Sequence, residues 1–142
     1  MYHFLAMLSR MKYINRWGLM RNTRSENLSE HSLETAIIAH ALAVIGNTRF
    51  GKSYDPQRAA ALALLHDASE IITGDMPTPV KYHSEGIRKA YAEVENLAVE
   101  RLVALLPEEF RPYYRELMTM SAPGDGELKL LIKAADRISA AI

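Results

Sequence analysis

Apolar positions along this chain recur at helical intervals almost throughout, and alternating runs of strand type are nearly absent. The pattern predicts a first helix over about residues 2–15, with Phe4, Leu8 and Met11 on one face. A polar stretch from Arg21 to Asn27 follows. Asn27, with Glu30 three residues on, has the form of a capping pair at a helix start. The second helix carries Leu33, Ile37, Ala41 and Val44 as its apolar stripe, and Gly46 is its expected stop. Asp55-Pro56 opens a third helix: a cap residue, then proline at the first helical position. This helix contains the longest unbroken apolar run, Ala59 to Leu65, and is expected to lie buried and to end near Gly74. Two prolines and a glycine between Thr73 and Pro79 argue against regular structure there. A fourth helix over about 85–106 places Tyr91, Val94, Ala98, Leu102 and Leu105 at helical intervals. Pro107 begins a further helix, which Pro112 should kink or delay. The last pattern starts near Asp125 and uses Leu128, Leu131, Ala135, Ile138 and Ile142. It reaches the end of the sequence with no stop signal, as expected of a chain cut inside or just after a helix.

Composition narrows this to one all-α domain over residues 1–142, with enough apolar material, 49%, for a single core. There is no cysteine, so disulfides, thiolate metal sites and cysteine nucleophiles are excluded. Lys plus Arg and Asp plus Glu are both 17, and a neutral domain is poorly suited to gripping polymeric nucleic acid. The charge is uneven, however. No acid precedes Glu26, whereas Arg10, Lys12, Arg16, Arg21 and Arg24 do, which suits either a solvated basic face or a small anionic ligand. The Ala59–Leu65 run is far short of the roughly 20 residues a membrane span needs. With no cleavable leader pattern and no cysteine, the cytoplasm is the expected compartment.

The chemistry concentrates in His66-Asp67-Ala68-Ser69-Glu70, directly after that apolar run. On a helix His66, Asp67 and Glu70 can project from one side. Ionisable groups in such a place are costly to bury unless paired, and a divalent metal would pair them. Two further candidates, His31 in Ser29-Glu30-His31-Ser32 and Asp136 in Ala134-Ala135-Asp136-Arg137, sit beside apolar stripes in small-residue surroundings. Two His and two Asp would leave coordination positions open, as a catalytic metal requires. Taken singly, each has an ordinary structural explanation: His66 as a hydrogen-bonded core residue, Asp136 as a partner of Lys133 or Arg137. His40 is nine residues after His31, on the opposite helix face, and is expected to be a packing residue.

The ordered set His31 … His66-Asp67 … Asp136 resembles the signature of the HD superfamily of metal-dependent phosphohydrolases. Ile14-Asn15-Arg16-Trp17, Leu19-Met20-Arg21-Asn22, Glu26-Asn27-Leu28-Ser29-Glu30-His31-Ser32, His66-Asp67-Ala68-Ser69-Glu70 and Thr73 to Tyr82 are similar, more narrowly, to the bacterial 5′-deoxynucleotidases of that superfamily, the YfbR group. The resemblance runs from the N-terminus to Asp136. It implies an HD-type helical bundle, here without the C-terminal helices of the group. It also implies a homodimer that uses one divalent transition metal, such as Co²⁺ or Mn²⁺, to convert deoxyribonucleoside 5′-monophosphates to deoxyribonucleosides and phosphate.

Position by position, the resemblance makes His31, His66, Asp67 and Asp136 the metal ligands. It makes Arg16 the residue that orients the phosphate and Trp17 the residue beside the sugar, where a 2′-hydroxyl would not fit. Asp75, Met76, Pro77 and Thr78 become the loop lining the nucleoside site, and Glu70 the acid next to the catalytic water. Asp75 has two open roles, a hydrogen bond to the sugar or assistance to the leaving 5′-oxygen. Elementary chemistry is compatible with these roles: a guanidinium is a permanent charge with a planar fork that matches phosphate oxygens, and a Pro-rich loop has little entropy to lose on binding. Two other functions remain open at this level. One is an HD hydrolase acting on a phosphodiester or signalling nucleotide. The other is a nucleotide-binding module without turnover.

Overall fold

The computed structural model describes residues 1–17 and 25–142. Leu19, Met20, Arg21, Asn22 and Arg24, which enter the expectations above, lie outside the described residues. Among the described residues every regular element is helical, and one isolated antiparallel bridge joins Asn15 to Asn27. The helices are α1 (Tyr2–Leu8), α2 (Leu28–Phe50), α3 (Pro56–Leu65), α4 (Glu70–Thr73), α5 (Thr78–Lys81), α6 (Glu85–Val103), α7 (Arg111–Thr119) and α8 (Asp125–Ser139). Short 3-10 turns cover Ser9–Tyr13 and Glu108–Phe110. The contacts group into two compact units, Met1–Leu28 with Ala68–Arg115, and Ser29–Asp67 with Glu116–Ile142.

In the first unit Phe4 is fully buried and meets Tyr114 edge-on, with ring centroids 4.9 Å apart. Met11, Leu28 and Ile71 form a second apolar cluster. The expected 2–15 helix is instead α1 followed by a 3-10 turn, but its predicted face survives, since Phe4 and Met11 are buried. Ser84 caps α6, accepting from the Ile87 amide, and the helix buries Tyr91, Ala98, Val99, Leu102 and Val103. Pro112 lies in the first turn of α7, where a missing N–H costs nothing. The same logic lets α5 form at Thr78, because Pro79 also falls in a first turn.

The second unit contains the core that positions the chemistry. It is built from Ala36, Ala39 and Ala43 of α2, Ala59, Leu62 and Ala63 of α3, Leu117 of α7, and Leu128, Leu131, Ile132 and Ala135 of α8. Six of these are alanine, so helix backbones come close and short side chains can meet across the interface. The stripe expected to be buried on α2 is not: Leu33, Ile37, Ala41 and Val44 are exposed, and the buried face is His31, Ser32, Thr35, Ala36, Ala39 and Ala43. Gly46 does not stop α2. A Cβ there would lie 2.8 Å from the Tyr54 ring, so this glycine serves close packing. The helix stops at Phe50, where Gly51 takes a left-handed φ of 63°. Asp55 caps α3 as expected, accepting from Arg58 N–H at 2.9 Å. The helix then breaks at His66 instead of continuing to Gly74, and α8 closes at Ser139.

A buried ion pair fixes the start of α8. Arg58 Nε donates to Asp125 Oδ1 at 2.7 Å, and its Nη2 donates to Asp125 Oδ2 at 2.8 Å and to Glu116 Oε1 at 3.0 Å. Asp125 is 1% exposed and also accepts from the Ala122 amide. The Arg58 hydrogen bonds hold its pKa below the ordinary carboxylate value despite burial. Asp125→Asn leaves the guanidinium without its bidentate partner and should lower the unfolding free energy by about 3 kcal/mol, read from urea denaturation at neutral pH. A folded-state pKa that is depressed contributes stability above the unfolded pKa, lost as pH falls through the folded one. The wild-type advantage should therefore be flat down to about pH 4 and shrink below it; an advantage unchanged at lower pH would contradict this account.

Candidate metal and phosphate sites

Three elements of the second unit bring four side chains together. His31 comes from the first turn of α2, His66 is the C-cap of α3 with Asp67 next to it, and Asp136 comes from α8. Asp136 Oδ1 lies 2.9 Å from His31 Nε2 and 4.0 Å from His66 Nε2. Asp67 Oδ2 lies 3.0 Å from His66 Nε2 and 3.7 Å from His31 Nε2. Among the described residues, His31, His66 and Asp67 form a cluster able to hold a metal ion, and Asp136 reaches the same two imidazoles. Two donor atoms on one metal at about 2.1 Å stand about 3.0 Å apart at a right angle and about 4.2 Å apart when opposed. All four measured separations fall in that interval.

The proton arrangement tests the fit more sharply. His66 Nδ1 is 2.6 Å from the Ala63 carbonyl, which can only accept, so Nδ1 carries the proton. His66 Nε2 is then a buried nitrogen without a hydrogen-bond partner among the described residues. Asp67 Oδ2, 3.0 Å away, is within ion-pair reach. His31 Nδ1 lies 3.1 Å from Ser139 Oγ, whose own proton points to Glu34 Oε2 at 3.4 Å. His66 thus turns its Nε2 lone pair toward Asp67, while His31 Nε2 lies 2.9 Å from Asp136 Oδ1 and 3.4 Å from the Thr35 hydroxyl. Lone pairs facing carboxylates repel unless a cation or a proton lies between them, and a divalent ion suits this donor set.

The titrations follow from the same geometry. Burial opposes charge on His66, but the neighbouring Asp67 carboxylate, with smaller help from the Ala63 carbonyl and Asp136, outweighs it and raises its pKa above the ordinary imidazole value. The His31 contact holds the Asp136 carboxyl below its usual range, against burial. Ser139, which orients His31, was not a sequence candidate. Its position one turn after Asp136 on α8 was the available sign, and a serine there has no distinguishing chemistry until the fold supplies His31.

The first unit holds the residues expected to meet phosphate and sugar. Arg16 N–H donates to the Glu26 carbonyl and Leu28 N–H to the Ile14 carbonyl, each at 2.9 Å, so the isolated bridge between Asn15 and Asn27 ties down the segment carrying Arg16. The Arg16 side chain is 10% exposed, and its buried Nη1 has no hydrogen-bond partner among the described residues, with the Glu26 carboxylate 3.6 Å away. Its guanidinium carbon lies 5.3 Å from the Trp17 ring centroid. Trp17 adopts a left-handed φ of 59°, and its N–H donates to Asp75 Oδ2 at 2.9 Å. Arg16, Trp17 and Asp75 are thereby brought together. Met76 and Pro77 are half-buried in the link before α5, Thr78 is exposed at its start, and Glu70 opens α4. His40 is on the face away from His31, as expected, but it is exposed and is not a packing residue; His3 and His83 are exposed too.

Comparison with known proteins agrees with this geometry. The family profile "5'-deoxynucleotidase YfbR-like" matches residues 3–142. The 5'-deoxynucleotidase YfbR of Escherichia coli is 51% identical over 138 residues, covering 97% of this chain and 69% of the relative. An HD-domain phosphohydrolase from Listeria innocua superposes with a TM-score of 0.81 at 25% identity, over 96% of this chain and 64% of that one. The cyanophage S-2L HD phosphohydrolase DatZ, bound to dA and one catalytic Zn²⁺ ion, gives a TM-score of 0.68 at 26% identity, over 95% and 66%. The chain thus spans about two thirds of the length of these proteins.

Metal and proton compete for the same Nε2 atoms. Affinity for Co²⁺ or Mn²⁺, titrated calorimetrically, should be full above the raised His66 pKa and fall as pH drops through it. The fall should begin at a higher pH than an unperturbed imidazole would give. Asp67→Asn should weaken binding by at least about tenfold; unchanged affinity would remove Asp67 from the site.

Proposed function

The chain belongs to the 5′-deoxynucleotidase YfbR-like family, and we propose on that premise that it is a phosphomonoesterase converting deoxyribonucleoside 5′-monophosphates to deoxyribonucleosides and phosphate. The reading takes residues 1–142 as one HD domain, acting in the cytoplasm as a homodimer. The observation that carries it is the convergence of His31, His66, Asp67 and Asp136 with both imidazole Nε2 atoms turned toward carboxylates. The exposed Leu33, Ile37, Ala41 and Val44 stripe of α2 supports the homodimer, because an apolar helix face of that length is commonly covered by a partner.

One divalent ion, Co²⁺, Mn²⁺ or a similar transition metal, held by His31, His66, Asp67 and Asp136, would supply Lewis-acid charge to the phosphate and lower the pKa of water. The chain's own groups do the rest. Arg16 directs an otherwise unpaired buried donor at phosphate oxygens and holds the phosphorus for in-line attack. Glu70 orients the attacking water and takes its proton. A P–O bond forms to that water as the P–O5′ bond breaks, and the proton released to Glu70 is passed through solvent to the leaving 5′-oxygen, so the step balances with no phosphoenzyme. Trp17 occupies the space a 2′-hydroxyl would need. Of the roles open to Asp75, its hydrogen bond to the Trp17 amide favours holding the sugar side of the pocket. Met76, Pro77 and Thr78 form the nucleoside wall.

Phosphate release from dAMP and AMP, measured on metal-stripped protein and after Co²⁺ or Mn²⁺ is restored, tests this directly. Release from dAMP only with metal is the expected result. Release from neither nucleotide with metal bound would leave a binding module. Arg16→Lys keeps the charge but loses the fork, and should lower kcat/KM by at least about tenfold. Trp17→Ala should raise AMP turnover relative to dAMP, and an unchanged ratio would remove Trp17 from the sugar site.

A further inference from the structure

The segment that carries Asp75 is anchored at both ends to one helix. Gly74 to Pro77 form the irregular link between α4 and α5. Just upstream, Thr73 Oγ1 lies 3.4 Å from the Tyr91 hydroxyl. Just downstream, Lys81 Nζ donates to Glu95 Oε1 at 2.7 Å and stands 4.5 Å from the Tyr91 ring centroid. Tyr91 and Glu95 are four apart on α6 and share a face. Tyr91 is 6% exposed, and the Lys81 and Glu95 side chains keep 26% and 30% of their exposure. These are contacts sheltered from solvent, where an ion pair and a cation over a ring count for more than on an open surface. Burial opposes the Lys81 ammonium, but Glu95 outweighs it and raises the lysine pKa, so the bridge stays charged.

Asp75 has a single carboxylate oxygen on the Trp17 amide, and that amide belongs to a residue in left-handed backbone. A left-handed conformation is unfavourable for a residue with a Cβ and persists only where the surroundings hold it. The charged acceptor does the holding, and it works only while its own loop stays in place.

We propose that Lys81, Tyr91 and Glu95 are a clamp that places the Gly74–Pro77 segment and, through Asp75, the Trp17 ring, which makes them positioning residues for the discrimination between deoxyribose and ribose. The substrate in this statement rests on the function proposed above; the clamp itself rests only on contacts within the first unit. None of the three side chains needs to touch a nucleotide.

Trp17 is the chain's one tryptophan, so its fluorescence reports its placement without any turnover. The metal-loaded protein would be compared as wild type, Lys81→Met, Lys81→Arg and Tyr91→Phe. Lys81→Met should shift the emission maximum, increase acrylamide quenching, and lower the dAMP to AMP ratio of kcat/KM about fivefold, through a higher KM for dAMP with kcat little changed. Lys81→Arg keeps the bridge and should restore both readouts. Tyr91→Phe, which loses only the hydroxyl, should move both in the same direction by about twofold. A folded Lys81→Met protein with wild-type emission and ratio overturns the clamp. So does a loss of kcat on both nucleotides with emission and ratio unchanged, which would be a merely structural effect. If far-UV circular dichroism shows Lys81→Met unfolded, Tyr91→Phe decides by the same two readouts. If wild type hydrolyses neither nucleotide, the proposed function fails, and the fluorescence series alone decides the clamp.

Discussion

Two imidazoles turned toward two carboxylates make an arrangement that calls for positive charge inside it, from a proton or a metal ion. Ser139 and the Ala63 carbonyl occupy the Nδ1 positions of His31 and His66. That leaves the Nε2 atoms facing Asp67 and Asp136, with His31 fully buried. A proton can relieve the repulsion for one pair at a time; a divalent ion relieves it for all four groups together. The alanine-rich packing of α2, α3 and α8 follows from this requirement, because side chains as short as aspartate meet only when helix backbones come close. The unit thus gives up the larger apolar side chains that would have filled its core. Part of the compensation is the Arg58–Asp125 pair, which fixes the start of the helix carrying Asp136.

The first unit solves a different problem. An anion site, the role proposed for Arg16, needs donors that are buried yet unspent, and a buried donor without a hydrogen bond, such as Arg16 Nη1, is expensive. The Arg16 backbone is held by the isolated bridge, and its side chain has no saturating carboxylate partner among the described residues: Glu26 is 3.6 Å away, beyond hydrogen-bond reach. The guanidinium is also close to the Trp17 ring, a weak interaction that does not consume its N–H groups. This segment therefore presents a charge and an aromatic ring together, 5.3 Å apart.

What could be read from the sequence divides along a physical line. Chemistry carried by adjacent residues was legible: His66-Asp67 and Asp55-Pro56 each announce themselves locally, whereas the Thr73–Pro79 stretch, expected to be irregular, ends inside a helix because Pro79 falls in a first turn. The ordered His31, His66-Asp67 and Asp136 set was legible only by its likeness to a family, because spacing cannot show that three helices converge. The face of α2 was misread for a definite reason. The helix is apolar or small on most sides, so the larger residues Leu33, Ile37 and Val44 outweighed the alanines, whereas close packing selected the alanines. Gly46 and Gly51 were confused for the same kind of reason. A glycine that admits a neighbouring ring and a glycine that ends a helix look identical until Tyr54 and the left-handed φ are seen. Ser139 and the Trp17–Asp75 contact, which spans 58 positions, leave no local trace.

On the proposed placement of Trp17 beside the sugar, that last contact changes how selectivity is to be understood. A wall that closes around a ligand must spend part of the binding energy on ordering itself, and it tolerates an extra hydroxyl by yielding. Here the tryptophan backbone is already in a costly conformation, its amide is taken by Asp75, and the loop bearing Asp75 contains Pro77 and leads into Pro79. Each feature removes freedom before binding. A rigid wall rejects by steric cost, and that cost depends on tenths of an ångström in ring placement. Selectivity built in this way resides less in Trp17 itself than in whatever fixes Trp17. It is therefore exposed to substitutions at α5 and α6 that leave every group proposed to touch the nucleotide unchanged.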